Sequence, residues 1–281
     1  MREIKASDVT SLVKRLFIEA NYTLPRELAG LIADASRTEP DPLGREILCR
    51  LCENIEAAKT YNVPICQDTG LAVVFVELGQ NVHIVGGDFE EAINAGVRAA
   101  YLDGYMRCSV VGDPLFSRKN TGDNTPAVIH VKIVPGDRLR ITAAPKGFGS
   151  ENKSAIRMFT PAASPRDVSD FVVDTVLRAG GDPCPPVVVG VGIGGTFESA
   201  ALDAKRALTL PTTYRNPDER YAELEDELLD RINATGIGPQ GFGGRTTALA
   251  VNIIARPTHI AGLPVAVNVG CHVTRHAEGE L

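Results

Sequence analysis

Tryptophan is absent from this chain of 281 residues, and aromatic side chains make up only 5% of it. The interior must therefore be filled by Val, Ile, Leu and Ala. No uninterrupted apolar run approaches the ~18 residues of a transmembrane helix. The opening segment, MREIKASDVT, has no apolar core of a secretory signal. A cytoplasmic protein without membrane contact is expected. Positive charge is also scarce: 29 Lys and Arg stand against 35 Asp and Glu, for a net charge of −6. That argues against a nucleic-acid partner, because attraction to phosphate needs a positive field. Repeats, low-complexity tracts and long linkers are missing too, so a single domain over 1–281 is expected. Apolar content of 44% and charged content of 23% exclude a disordered chain or a rod.

Glycine and proline are plentiful, at 27 and 18 residues, and they fall in clusters. Tight turns concentrated in this way suit loops that approach a ligand closely. The spacing of apolar residues predicts α/β architecture: a mixed sheet with flanking helices and a helical N-terminal cap. Val9, Leu12, Val13, Leu16 and Phe17 recur at helical spacing behind Ser7 and Asp8 as caps. A second helix opens at Pro25, and a third runs from about Pro42 to Lys59 with Ile47, Leu48, Leu51 and Ile55 apolar. LAVVFVEL (71–78) and NVHIV (81–85) read as strands, and 88–104 as a helix. AVIHVKIV and RLRITAA, either side of Pro135-Gly136, predict a hairpin. Further on, 164–181 reads as a helix with a Ser cap and a Gly stop. PVVVGVGIGG reads as a buried strand entering a turn, followed by a helix, an acidic amphipathic helix, and two last strands.

GVGIGG (190–195) fits the G-x-G-x-x-G pattern between strand and helix. A dinucleotide site also needs an acid at the end of a second strand ~20 residues on. LPTTYRNPDERY is no strand, so the other reading is close packing of strand and helix through glycine. GFGSENKS (147–154) nearly matches a phosphate loop, but Asn152 replaces its second glycine. What remains is a glycine-rich turn able to hold an anionic group with backbone N–H donors. Cys49 and Cys52 form C-x-x-C inside a helical pattern with no second pair nearby; they and Cys108 read as small buried thiols. Cys66, Cys184 and Cys271 differ, each lying where regular structure meets a loop rich in Pro or Gly. Their spacing alone carries no ligand signal, and three unrelated thiols remain open beside three convergent ligands.

PICQDTG, APKGFGSENKS, CPPVVVGVGIGGTFE, GIGPQGFGG and LPVAVNVGCHVTRH, in that order between about Tyr61 and His276, resemble the class I, iron–sulfur-dependent fumarate hydratases. The likeness is to their α subunit, or N-terminal half. The related L-tartrate dehydratase α subunit shares the QDTG and CPP segments, whereas PKGFGSENKS and NVGCH are more similar to the fumarase branch. The resemblance implies a 4Fe–4S cluster on Cys66, Cys184 and Cys271. It implies substrate contacts at Gln67, Asp68, Arg107 and the Gly149 backbone, and catalytic parts for Asp68 and His259. It also implies a small dicarboxylate substrate and a β subunit that completes the site in an α2β2-type assembly. The expected activity is reversible hydration of fumarate to L-malate, with tartrate dehydration to oxaloacetate as the alternative.

Overall fold

The computed structural model describes residues 1–281. In chain order it contains β1 (Arg2–Lys5), α1 (Ala6–Tyr22), α2 (Arg26–Thr38), α3 (Pro42–Tyr61), β2 (Leu71–Gly79), β3 (Val82–Val85) and α4 (Phe89–Asp103). There follow β4 (Val128–Val134), β5 (Leu139–Lys146), α5 (Phe148–Glu151), β6 (Ala155–Phe159), α6 (Pro165–Ala179) and β7 (Val187–Gly194). The last are α7 (Phe197–Ala207), α8 (Glu219–Asn233), β8 (Ala248–Arg256), β9 (Leu263–Val269) and β10 (Ala277–Glu280). This is the mixed α/β class expected. The chain forms two compact units. Unit 1 comprises Met1–Pro25, Ile55–Phe148 and Arg275–Leu281; unit 2 comprises Arg26–Asn54 and Gly149–Thr274.

In unit 1, α1 buries Val9, Leu12, Val13, Leu16, Phe17 and Ala20, one stripe at helical spacing. It packs against Ile93, Val97, Ala100 and Tyr101 of α4 and against strand residues of one sheet. Gly96 allows the helices to meet, since a Cβ there would lie 2.7 Å from Thr10 O. The helix starts earlier than its candidate caps: Lys5, two residues before Ser7, is the N-cap and makes no side-chain capping bond. The sheet has the order β10-β5-β2-β4. The hairpin expected around Pro135-Gly136 does not form. β2 stands between its two arms, parallel to β4 and antiparallel to β5. The reason lies in the side chains. Ala72 to Val76 of β2 form an unbroken buried run, which is best served with a strand on each edge. β4, with Val131, Lys132 and Ile133 exposed, is left at the edge.

Unit 2 is organised by β7, whose successive side chains alternate between faces. Val187, Val189, Val191 and Ile193 point to one side, where they join Phe171, Val172 and Val176 of α6 and Leu228 and Ile232 of α8. Gly190 and Gly192 point to the other, where α7 lies. A Cβ on Gly190 would stand 2.1 Å from Ala204 O, and one on Gly192 would stand 2.1 Å from Ala200 O. The helix backbone thus rests directly on the strand, and the glycine pattern serves packing. The sheet order is β6-β9-β7-β8, with β8 parallel to β7 and β9 antiparallel. α6 opens on the expected Ser164 cap, here a capping box with Asp167, and stops at Gly180.

Glu39 fastens α2 to the glycine-rich loop before β8. Fully buried, its carboxylate accepts from Arg245 N at 2.9 Å, Thr246 N at 2.8 Å, Thr246 Oγ1 at 2.6 Å and Asp41 N at 3.2 Å. Burial pushes its pKa up, but these bonds outweigh burial and leave it below the ordinary carboxylate range. Cys49 and Cys52 lie on α3 as expected, but Cys49 is exposed and only Cys52 is half-buried. Burial raises the thiol pKa of Cys52 and of Cys108, which favours the protonated form of both.

Two outcomes follow from this packing. Gly192→Ala places a methyl against the Ala200 carbonyl and should cost at least about 3 kcal/mol, read as a lowered denaturant midpoint. Glu39→Gln should cost about 2 kcal/mol at neutral pH. A lowered folded-state pKa stabilises above the unfolded value and is lost as pH falls through the folded one. The gap in melting temperature between wild type and Glu39→Gln should therefore be full at pH 7 and narrow below the ordinary carboxylate range.

Candidate functional site

The expected site residues fall into two groups, one in each unit. In unit 1, Cys66, Gln67 and Asp68 occupy the bend between α3 and β2, with Gln67 exposed and the other two half-buried. Buried donors hold this bend from below. The Tyr101 hydroxyl, from α4, lies 2.8 Å from Thr69 O and 2.9 Å from Gly70 O. Burial raises its pKa far above the ordinary phenol range, so it stays protonated and donates. Asn124 Nδ2 donates to Gly70 O at 3.1 Å. Gly70 has φ +81°, and a Cβ there would meet Lys146 N at 2.7 Å, so only glycine fits between the bend and β5.

Arg107 is brought to the same place through its backbone, where Thr69 Oγ1 donates to Arg107 O at 3.0 Å. Its side chain is exposed. The Asp68 carboxylate accepts from Gly70 N at 3.0 Å through Oδ1 and from Phe148 N at 2.9 Å through Oδ2. The glycine-rich turn at 147 does hold an anionic group with a backbone donor, and the group is this chain's own Asp68.

In unit 2, Cys184 precedes β7 and Cys271 follows β9. Because β9 runs antiparallel to β7, with Val189 opposite Val269, both cysteines come to the same end of the sheet. Their loops are joined by His272 N donating to Cys184 O at 3.2 Å. Gln240 Nε2 donates to Pro185 O at 2.7 Å and lies 3.3 Å from His272 Nδ1. Cys184 has φ +57°, a left-handed backbone that a non-glycine residue adopts only when its surroundings impose it. Gly149 is at this end too: a Cβ on it would lie 3.6 Å from Asp182 O, and Lys153 pairs with Asp182 at 2.5 Å. His259 is not. It sits exposed in the loop between β8 and β9, where neighbouring Thr258 Oγ1 donates to Gly195 O at 2.9 Å, at the opposite end of the sheet.

All six cysteines are thiols outside any disulfide. Soft thiolate donors suit iron–sulfur chemistry, and unit 2 presents two of the three implied ligands on joined loops. Neither unit by itself gathers three or more His, Cys, Asp and Glu side chains into a metal-holding group. No helix is long and apolar enough to cross a membrane.

Sequence reasoning passed over several residues that the structure brings to these places. Gln240 and His272 brace Cys184. Tyr101 and Asn124 brace the bend at Asp68, and Arg275, 4% exposed, donates through Nη2 to Asp68 O. Gln240, His272 and Arg275 lie inside the quoted segments GIGPQGFGG and LPVAVNVGCHVTRH, and that placement is the one signal the sequence offers for them.

Comparison with known proteins agrees with the expected family. A family model described as fumarate hydratase (Fumerase) matches residues 10–280. A Methanocaldococcus jannaschii protein with the provisional name L(+)-tartrate dehydratase subunit alpha is 39% identical, over 98% of this chain and 96% of its own length. The L(+)-tartrate dehydratase subunit alpha of Escherichia coli O157:H7 is 30% identical, over 92% of this chain and 88% of its own. The anaerobic class I fumarate hydratase of Escherichia coli K12 is 29% identical over 99% of this chain, which spans 53% of that enzyme. The chain belongs to the fumarate hydratase family, hydro-lyases that act as class I fumarate hydratase or L(+)-tartrate dehydratase.

Proposed function

We propose that this chain is the α-type subunit of a hydro-lyase that interconverts fumarate and L-malate, with Cys66, Cys184 and Cys271 as ligands of a 4Fe–4S cluster. Bound there, the cluster supplies an open iron, a Lewis acid for the C2 hydroxyl and the hydroxide developing from it. The chain's own groups carry the remaining work. Arg107 offers an exposed guanidinium to the carboxylate beside C3, where negative charge collects as the C3 proton leaves. Asp68 takes that proton; its two oxygens, each already accepting one N–H, keep further lone pairs for it. Gln67, exposed beside Asp68, and the Gly149 N–H orient the substrate. In dehydration the C3–H and C2–O bonds break and a C2=C3 double bond forms. Proton and hydroxide leave as water, and no electrons are exchanged with the protein. With His259 at the far end of the unit 2 sheet, Asp68 is the proton acceptor of this reading.

The support is strongest in unit 2, where two of the three cysteines share one sheet end on hydrogen-bonded loops. A dicarboxylate carrying −2 meets a protein of net charge −6, so binding must rest on local cations. Arg107 is one, and a β subunit in an α2β2-type assembly supplies the rest. The relatives named as α subunits support that partner. Those same names favour a second reading, dehydration of L(+)-tartrate to oxaloacetate, a substrate that differs from malate by one hydroxyl.

Anaerobic co-expression with the β partner, followed by assays on fumarate, L-malate and both tartrate enantiomers, separates the readings. Turnover of fumarate and L-malate is expected, with the reconstituted α chain alone inactive or nearly so. Arg107→Ala should lower kcat/KM by roughly 10²-fold. Cys184→Ser should lose bound iron and visible absorbance, and exposure to air should abolish wild-type turnover. An iron-loaded complex inert toward all four acids would sink the proposal.

A further inference from the structure

Arg275 is a buried cation that the activity proposed above does not use. It lies just before β10 in unit 1 and is 4% exposed. Its Nη2 donates to the backbone carbonyl of Asp68, while its Nε is buried without a hydrogen-bond partner. A guanidinium is an expensive choice for holding one carbonyl. It must be stripped of water, and an unmatched N–H adds to the penalty. Tyr101 and Asn124 already hold the Thr69 and Gly70 carbonyls with neutral donors. Asp68 is the residue of the bend whose carbonyl a charged donor holds instead.

We infer that Arg275 is a positioning residue, fixing the Asp68–Thr69 peptide so that the Asp68 carboxylate faces the substrate in one orientation. The inference rests on the reading of Asp68 given above. The geometry supports it from both sides of the residue. The Asp68 side chain is held by the N–H groups of Gly70 and Phe148, and its main chain is held by Arg275. With carboxylate and carbonyl both fixed, neither the peptide plane nor the side chain can turn without breaking a bond. A charge-assisted bond is about twice as strong as a neutral one and directs its acceptor more tightly. A guanidinium is therefore suited to the residue next to the reacting proton, where a displacement of 1 Å can cost ~10²-fold in rate.

The test uses the iron-loaded complex with its β partner. Arg275→Gln should lower kcat at least about tenfold while KM, iron content and melting temperature stay near wild type. Hydrogen exchange should quicken at the amides of residues 67–70 and stay unchanged in the α1 and α4 core. Arg275→Lys keeps a charged donor and should recover most of kcat and of the protection. If the Gln variant does not fold, the Lys variant decides by the same kcat and exchange readouts, an intermediate loss of both supporting the inference. Wild-type kcat and exchange in the Gln variant would overturn it, as would no loss of either in the Lys variant where the Gln variant does not fold. So would a loss spread over kcat, iron content and exchange throughout unit 1, which marks a merely structural part. A wild-type complex inert on every acid overturns the functional reading instead; the exchange comparison still decides whether Arg275 holds the bend.

Discussion

Much of unit 2 depends on one alternation, the large and small side chains along β7. Val187, Val189, Val191 and Ile193 fill the space beneath α6 and α8, while Gly190 and Gly192 leave none above, so the backbone of α7 comes down onto the strand. A strand with branched residues on both faces would lift α7 away, and one with glycine on both would have no core beneath it. The flanking strands then take their places by pairing. β9 returns antiparallel beside β7, and that return brings Cys271 to the loop that carries Cys184. The chemistry suggested by two cysteines far apart in the chain is in this way a by-product of sheet topology.

Unit 1 reaches rigidity by another route. Its bend at Cys66–Gly70 has no strand ladder to hold it, and the carbonyls of Asp68, Thr69 and Gly70 are each taken by a buried side chain. An unpaired carbonyl in such a place would be costly, and Tyr101, Asn124 and Arg275 each satisfy one. The same arrangement seats Arg107 beside Asp68 through its main chain, leaving its side chain at the surface.

The legible parts of the fold were those with a strong period. The α1 stripe and the capped α6 are legible in the sequence, and the packing role of GVGIGG is one of the two meanings left open for it, although that segment, read as a turn, is mostly strand β7. The hairpin was misread because turn chemistry at Pro135-Gly136 is local, whereas the choice of partner belongs to β2, which draws a strand to each edge. Short elements such as β1, β6 and β10 carry too few residues to show a period. At the site, cysteine contexts and the glycine-rich segments were visible in the chain. The burial of Arg275 was not, because nothing in VTRHAEGEL distinguishes an arginine under the surface from one on it. The distance of His259 from the cysteine end of unit 2 follows from strand direction, which a motif does not encode.

The antiparallel return of β9 also acts as a ruler. Each residue along a strand is worth about 3.3 Å and a change of face. Deleting one residue between Leu263 and Val269 would draw Cys271 back by that step. It would also turn Asn268, now on the α7 side, toward the valine layer. Length changes in the loop 257–262 carry no such consequence, since the slack is absorbed before the ladder begins. The position of Cys271 relative to Cys184 is thus set by the count of residues in the paired strands and not by the length of that loop.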